Sequence, residues 1–395
     1  MTLRRPRSRC RARWVADQAA RRVAPGAATC VLAVLLLLMA AAALPAAAAA
    51  HRVQRGIIDG SWLMAAPDQR AAIVKELSGG LHAQVVRVVV SWAQLEPRPG
   101  QYDEVLLGSV RESLAVAHAK GLQLMVLVTE TPKWASDRAF WKDPPFTGQK
   151  PGVYYPFYPV DKGALDRWQR FSRHVAQSFR GLVRYYECWN EPNLWPYLYP
   201  QRTANEPYLA VTRYGWLLKR FYRGVKAVDR RAIVLGGATA PIGSNDKHRT
   251  SPQRFARYVV RLGLMRYMDG YSHHPYAVGP REPMLPPEAR PAFSAYTISL
   301  GNIAALLRIV PKKPIYLTEY GYTTRPVAEF DGAQVSEATQ AAYVKRAFRY
   351  ADRFPRIKLL MWLQRVDGPG LYFGLRRLDG TRKPSWYAFA KLRKR

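Results

Sequence analysis

The stretch YYECWNEPNLW, residues 185–195, places a carboxylate directly after a run of aromatic residues. Residues 185–189 have the aromatic and apolar composition of a buried β-strand. Asn190 and Glu191 follow at once, and Pro192 cannot donate a hydrogen bond to a continuing strand. An amide and a carboxylate therefore stand side by side at the point where the strand ends.

Short apolar runs of this kind recur along the chain, and longer amphipathic stretches separate them. Together with residues 185–192 they number eight, the others being residues 56–62, 85–92, 122–131, 232–240, 268–276, 314–322 and 358–367. Their nearly continuous apolar character is typical of parallel strands that are covered on both faces. Helical spacing of apolar residues, with arginine and lysine on the other side, marks residues 104–120, 166–179, 208–228 and 338–354.

Eight strand-helix units predict one (β/α)8 TIM barrel that occupies residues 51–395. A doubly wound open sheet is the alternative, but the first strand is not followed by the glycine-rich phosphate turn of that fold. In a barrel, the carboxyl ends of the strands form the functional face. The polar and aromatic residues predicted at these ends are Asp59, Trp62, Ser91, Trp92, Glu130, Asn190, Glu191, His273, His274, Tyr276, Glu319, Tyr320, Trp362 and Gln364.

Two of these carboxylates form a natural pair. Glu191 ends the fourth predicted strand and Glu319 ends the seventh, so a closed barrel brings them to opposite sides of one mouth. Cleavage of a glycosidic bond needs one carboxylic acid to protonate the leaving oxygen and a second carboxylate to attack or stabilise the anomeric carbon. The pair therefore indicates glycosidic bond cleavage.

At these two strands the sequence resembles a known group of enzymes. CWNEPN (residues 188–193) and LTEYGY (residues 317–322) resemble the acid/base and nucleophile motifs of the clan A glycoside hydrolases, with families 39 and 5 nearest. The resemblance covers residues 55–390. It implies a retaining mechanism on a TIM barrel, with Glu191 as acid/base and Glu319 as nucleophile, and neither a metal nor an organic cofactor.

The same resemblance implies roles for five further residues. Asn190 would bind the sugar 2-hydroxyl, and Trp362 would form the platform beneath the sugar. Arg87, His274 and Tyr276 match positions that hold and orient the nucleophile. Other interpretations stay open, since Arg87 also fits a buried ion pair and His274 and Tyr276 also fit satisfied core groups. The loops after strands three, five and six match no single subfamily, so the sugar is left open.

Aromatic residues concentrate in the loops after the third and fourth predicted strands. Rings that are exposed in such loops can stack on sugars, although they also fit the packed interior of a long loop. We therefore expect a substrate groove in this region, without assigning contacts to single rings. The rings are Trp134, Trp141, Tyr154, Tyr155, Phe157, Tyr158, Trp195, Tyr197 and Tyr199.

Residues 1–50 have the layout of a secretory signal. Arginines at the start are followed by an apolar run, residues 27–44, and by an alanine-rich end in which Ala46, Ala48 and Ala50 leave the cleavage point open. The alternative is an uncleaved anchor, because the apolar run is near the minimum length that spans a bilayer. The pattern predicts a secreted or cell-envelope protein whose single remaining cysteine, Cys188, has no intrachain disulfide partner.

The chain is strongly basic, with a formal net charge of +33. The first 50 residues carry eight arginines and one aspartate, which leaves +26 for the rest. Such a surface attracts polyanions, among them an acidic polysaccharide, and an even spread of arginine over solvated helix faces is the alternative. Nucleic acid is a minor hypothesis, because no nucleic-acid-binding motif accompanies the charge.

The sequence thus predicts an exported retaining glycoside hydrolase that acts on a poly- or oligosaccharide by a two-glutamate double displacement. We expect contact with a membrane solely through an uncleaved N-terminal segment. The alternatives are a non-catalytic carbohydrate-binding or cell-envelope protein on the same barrel, since fold does not imply activity, and a polyanion-binding surface protein.

Overall fold

The strands close into a barrel. The computed structural model describes residues 51–145, 155–277, 284–327 and 332–392. Every pair of neighbours is parallel and follows chain order, and β8 pairs with β1 to complete the ring. The strands are β1 (Gln54–Ile58), β2 (Val85–Ser91), β3 (Gln123–Thr129), β4 (Val183–Cys188), β5 (Ile233–Thr239), β6 (Gly270–His273), β7 (Ile315–Leu317) and β8 (Ile357–Leu363).

Helices follow the strands in sequence. Within the described residues they are α1 (Pro67–Lys75), α2 (Trp92–Leu95), α3 (Glu104–Ala119), α4 (Leu165–Ser178), α5 (Leu209–Val228), α6 (Pro252–Arg261), α7 (Ala304–Ile309), α8 (Glu337–Ala351) and α9 (Pro384–Ala390). Side-chain caps begin several of them: Asp103 accepts from Leu106 N, Ser251 from Arg254 N and Ser336 from Thr339 N. The (β/α)8 prediction is confirmed.

The lower part of the barrel interior is filled with side chains. Val85, Met125, Tyr185, Leu235, Tyr316, Leu359 and Met361 pack against one another there. Gly270 gives the Tyr316 ring its space, since a Cβ at residue 270 would overlap that ring. The lower interior is therefore a packed core, as in other barrels of this size.

A second, larger apolar layer lies between the strands and the helices. α4 buries Trp168, Phe171 and Val175 at three- and four-residue spacing, as an amphipathic helix on a sheet does. Trp62, Trp92, Trp189 and Trp362 are fully or almost fully buried in the same layer.

Alternate residues of β2 face the barrel interior. Val85 and Arg87 are buried there, and Val89, on the same face near the carboxyl end of the strand, is 46% exposed.

A strand overlaps each of the eight apolar runs, but β6 and β7 are shorter than the runs that predicted them. β6 ends at His273 and β7 ends at Leu317, so His274, Tyr276 and Glu319 lie just beyond the strands. The predicted signal segment, residues 1–50, lies outside the described residues. Among the described helices, none combines the length and the apolar character that crossing a membrane requires.

The Gly270→Ala substitution tests the packed lower interior. The added methyl group would collide with the rigid Tyr316 ring, so we expect the free energy of unfolding to fall by about 1–3 kcal/mol. Gly108→Ala in α3 is the matched control, because its Cβ meets no atom within 4 Å and alanine favours the helix by about 0.5–1 kcal/mol. Urea unfolding of both variants checks this, and an equally stable Gly270→Ala variant would contradict it.

Candidate active site

The end of β4 turns sharply before it presents its carboxylate. Trp189 and Glu191 both have positive φ angles, 68° and 36°, which non-glycine residues adopt at a cost when the surrounding structure holds them. Two backbone hydrogen bonds hold the turn in this conformation: Glu191 N donates to Ala238 O, and Trp189 N donates to Val128 O. The turn directs Glu191 toward the barrel mouth, where 13% of its side chain is exposed.

Asn193, the second asparagine of the motif, fixes this turn to β5. Its Nδ2 donates to the Thr250 carbonyl at 3.0 Å, and its Oδ1 accepts from Ala240 N at 2.8 Å. The side chain is fully buried. Asn193 is therefore a structural clamp that holds the loop carrying Glu191.

Arg87 connects the strands at the centre of the site. Its Nε donates to Glu187 at 2.7 Å, one terminal nitrogen donates to Glu319 Oε1 at 2.8 Å, and the other donates to Asn190 Oδ1 at 3.1 Å. The side chain of Arg87 is 1% exposed. Because Glu187 is also bonded by Thr318 Oγ1 at 2.8 Å, the guanidinium group is held at several points.

Two residues beyond β6 complete the surroundings of the carboxylates. The Tyr276 hydroxyl donates to Glu319 Oε2 at 3.0 Å. His274 Nδ1 lies 2.8 Å from Glu191 Oε1 and 3.7 Å from Glu319 Oε2, so one imidazole nitrogen faces both carboxylates. Both predicted alternatives for Arg87 thus describe one arrangement, a buried ion pair that also holds Glu319.

The two carboxylates are close together. One oxygen of Glu191, one oxygen of Glu319 and a His274 nitrogen all lie within 4.8 Å of one another. Carboxyl groups of retaining glycosidases are about 5–5.5 Å apart and those of inverting enzymes about 6.5–9.5 Å, so this spacing fits the retaining geometry. Such a trio could also ligate a metal ion, although Arg87 and Tyr276 already donate to both oxygens of Glu319.

The surroundings shift the two carboxyl pKa values in opposite directions. Burial raises the pKa of Glu191 above its usual value, although the hydrogen bond and the charge of His274 partly oppose this. Burial alone would also raise the pKa of Glu319, but the charges of His274 and Arg87 and the hydrogen bonds from Arg87 and Tyr276 outweigh it and lower that pKa. The site therefore favours a protonated Glu191 beside an ionised Glu319.

The two histidines at the end of β6 differ in state. Burial would lower the pKa of His274, but the carboxylates of Glu319 and Glu191 raise it. Burial lowers the pKa of His273 to about 3, and its nitrogens lie 2.8 Å from Thr239 Oγ1 and 2.9 Å from the Ile298 carbonyl. His273 is thus a neutral residue that ties two loops together.

Trp362 does not lie in the site, so the prediction that it forms a sugar platform is wrong. In β8 the inward positions are Leu359 and Met361, which places Trp362 on the outer face. Its side chain is fully buried there, its Nε1 donates to the Phe373 carbonyl at 2.9 Å, and it packs on Tyr320. The other six predicted site residues surround one another at the mouth.

A cavity of about 400 Å³ opens over the ends of β2, β3 and β4, and Tyr197 separates it from the two carboxylates, which do not line it. Three of the aromatic residues expected in a groove, Tyr155, Phe157 and Tyr197, line it together with Trp189 and Glu130. Burial raises the pKa of the Tyr197 hydroxyl, as do the charges of the nearby Glu191 and Glu319, so this ring lies between the cavity and the carboxylates. Tyr158 and Tyr199 are fully buried instead, and Tyr154 lies outside the described residues.

Some contributors to the site gave little signal in the sequence. The sequence places Thr318 directly before Glu319 and Asn193 at the end of the CWNEPN motif, but it indicates no contact for either side chain. Tyr197 was one aromatic residue among many in its loop. Glu187 lies within the fourth predicted strand, and its bonds to Arg87 and Thr318 give it a structural role.

The fold is similar to that of solved glycoside hydrolases. A family 39 glycoside hydrolase from the gut symbiont Bacteroides cellulosilyticus matches with a TM-score of 0.59 and 17% identity, over 86% of this chain and 63% of that chain. Endo-glycoceramidase II from Rhodococcus sp. matches with a TM-score of 0.55 and 19% identity, over 86% and 78%. A GH5_18 protein from Streptomyces cattleya, in complex with Manb1-4GlcNAc, matches with a TM-score of 0.59 and 15% identity, over 86% and 79%.

These similarities establish a shared barrel with structures of families 39 and 5, as the two motifs predicted. The chain spans less than two thirds of the family 39 protein. Neither a protein-family model nor a curated protein sequence matches the chain.

Replacing Tyr276 tests the electrostatics of the pair. Its hydroxyl stabilises the ionised form of Glu319, so Tyr276→Phe is expected to raise the pKa of that carboxyl group and to leave Glu191 protonated. Titration of ¹³C-labelled glutamate side chains by NMR measures this, with the Glu319 signal assigned from Glu319→Gln.

Tyr322→Phe is the control, because that buried hydroxyl donates to the Leu285 carbonyl and lies 2.8 Å from the Tyr320 hydroxyl, away from both carboxylates. A Glu319 pKa that does not change in Tyr276→Phe, or that changes equally in Tyr322→Phe, would contradict this interpretation.

Proposed function

We propose that this protein is a retaining glycoside hydrolase that cleaves O-glycosidic bonds of a poly- or oligosaccharide. The observation that carries the proposal is the pair Glu191 and Glu319, close together at the mouth and with pKa values shifted in opposite directions. Double displacement requires one protonated and one ionised carboxyl group at this spacing. The shared fold with glycoside hydrolases supports it.

In the first step, Glu319 attacks the anomeric carbon and Glu191 donates its proton to the leaving oxygen. The new bond joins a Glu319 oxygen to the sugar, and the leaving alcohol departs with the proton. Arg87 and Tyr276 hold Glu319 in place for attack, so the nucleophile needs no rearrangement.

In the second step, the ionised Glu191 takes a proton from water, and the resulting hydroxide displaces Glu319 from the sugar. His274 keeps Glu191 in position through both steps, because its Nδ1 is within hydrogen-bond distance of the carboxylate. Asn190 accepts from Arg87 through its Oδ1 and bonds the Tyr197 side chain, which leaves one of its two amide hydrogens for a sugar hydroxyl.

The cavity over the ends of β2, β3 and β4 would hold the neighbouring sugar units. Its aromatic lining offers flat faces for stacking. Glu130, whose backbone φ is 71°, adds an exposed carboxylate to the lining. The complex of the Streptomyces cattleya protein with Manb1-4GlcNAc supports an oligosaccharide as the substrate class. We further propose export to the cell envelope or medium, on the pattern of residues 1–50, and an acidic polysaccharide as one candidate substrate, on the charge of +26.

Substitution of the two glutamates tests the proposal on a panel of nitrophenyl glycosides. Glu319→Gln should lower kcat by at least about 10⁴-fold on every substrate, as loss of a nucleophile does. Glu191→Gln should lower the rate by about 10²–10⁴-fold for poor leaving groups, and azide should restore turnover of activated substrates and yield a glycosyl azide of retained configuration.

Glu96→Gln is the matched control, since this buried glutamate bonds to Trp92 and Gly100 and does not touch the pair. Dialysis against EDTA distinguishes this mechanism from a metal-dependent reaction at Glu191, His274 and Glu319. The double displacement needs no metal, so activity should survive the dialysis. Activity that vanishes with EDTA and returns with a divalent ion, or that survives in Glu319→Gln, would overturn the proposal. A well-folded protein that binds sugars without cleaving any would favour the non-catalytic alternative.

A further inference from the structure

A second groove lies on the outer wall of the barrel, away from the carboxylate pair. It has a volume of about 860 Å³ and runs between α6, the loop of residues 290–302 and α7. None of the residues that line it belongs to the candidate active site. Small side chains form much of its wall, among them Ala295, Ala304 and Ala305, which leaves room for a ligand.

The wall of this outer groove contains a buried acceptor without a partner. Gln253 is 6% exposed, and its Nε2 donates to the Ser294 carbonyl at 2.7 Å and to the Thr297 carbonyl at 3.0 Å. These two bonds use both amide hydrogens and fix the orientation of the amide. Its Oε1 has no hydrogen-bond partner among the described residues. Gln253 thus ties the loop of residues 290–302 to α6 and holds this wall of the groove in place.

Three arginines surround the same groove. Arg257 extends from α6, Arg308 from α7 and Arg290 from the loop between them, and all three are exposed. Gln253 and Arg257 are four residues apart and therefore lie on one face of α6. No carboxylate is found among the described residues that line the groove. This arrangement favours a ligand with negative charges, which guanidinium groups bind through two parallel hydrogen bonds.

Two exposed aromatic rings flank the groove. Phe293 is 53% exposed and Tyr296 is 49% exposed, and the two residues between them, Ser294 and Ala295, line the groove. Exposed rings at this position offer stacking faces to the apolar sides of sugars. A small inorganic anion would gain nothing from them, whereas a carbohydrate chain with acidic groups would use the rings and the arginines together.

We propose that the outer groove is a binding site for an acidic oligosaccharide whose carboxylate groups pair with Arg257, Arg290 and Arg308. The site is separate from the carboxylate pair, and the proposal does not rest on the proposed hydrolysis. Its role would be to hold a uronate-containing chain on the protein surface. The general attraction of a basic protein for polyanions is the effect from which it must be distinguished.

The chain offers a matched control for that distinction. Arg180, Arg230 and Arg231 are exposed and line a depression next to the loops that precede β4 and β5, at the opposite end of the barrel from the carboxylate pair. Replacing these three by alanine lowers the net charge by the same amount as replacing the three arginines of the outer groove. Both triple variants should keep the unfolding midpoint and the aryl glycosidase activity of the parent protein, because neither set touches Glu191 or Glu319.

Isothermal titration with tetragalacturonate tests the proposal, with maltotetraose as a neutral chain of equal length and inorganic phosphate as a simple anion. Arg257→Ala/Arg290→Ala/Arg308→Ala should weaken tetragalacturonate binding at least about tenfold, since hydrogen bonds to charged groups are lost. Arg180→Ala/Arg230→Ala/Arg231→Ala should change it less than about twofold, because screening limits the effect of distant charges. Phe293→Ala/Tyr296→Ala should weaken tetragalacturonate binding and leave phosphate binding unchanged.

Several results would overturn the proposal. Equal losses in the two arginine variants would mean that net charge alone attracts the chain. Equally tight binding of maltotetraose would show that the carboxylates of the ligand do not contribute. Unchanged tetragalacturonate binding in Phe293→Ala/Tyr296→Ala would show that the two rings do not contribute. Binding of a short DNA duplex that competes with tetragalacturonate and is stronger than it would assign the groove to nucleic acid.

Discussion

The buried guanidinium group of Arg87 is the feature on which the site depends. A charge removed from water is stable when several partners compensate it, and here Glu187, Glu319 and Asn190 do so from β4 and from the end of β7. The planar fork of arginine fits this task, because its nitrogens reach three acceptors in different directions. The same contacts keep Glu319 ionised, so the interaction that links three strands of the barrel also prepares the proposed nucleophile.

The closed barrel brings the other site residues into contact with one another. β4, β6 and β7 end at one mouth, and the residues just beyond them bring Glu191, His274, Tyr276 and Glu319 together although they are far apart in the chain. Below them, apolar side chains pack the lower interior of the barrel. The polar layer above it is buried enough to raise the pKa of Glu191 yet lies next to a cavity on one side. Proximity and electrostatics thus arise from the same few strand ends.

The sequence predicted the barrel and the carboxylate pair because both depend on local patterns. Parallel strands covered on both faces are apolar throughout, and the polar groups that follow them mark their ends. The same apolar continuity hid which face each residue occupies, so Trp362 was assigned to the mouth although it faces the helices. A shift of one residue changes the face, and in residues 357–363 one exposed polar residue alone, Lys358, marks the outer face that Trp362 shares. The roles of Asn193 and Thr318 depend on partners more than 40 residues away, which no local pattern predicts.

The proposed double displacement requires that Glu319, held by Arg87, form a covalent bond to the sugar. Mass spectrometry of the protein after reaction with an activated 2-deoxy-2-fluoro glycoside tests this claim, because the fluorine slows the second step and lets the intermediate accumulate. We expect a mass increase of one fluoroglycosyl group on the peptide that contains Glu319, and none in Glu319→Gln. Labelling of Glu191 instead, or turnover with inversion and no labelled protein, would contradict it.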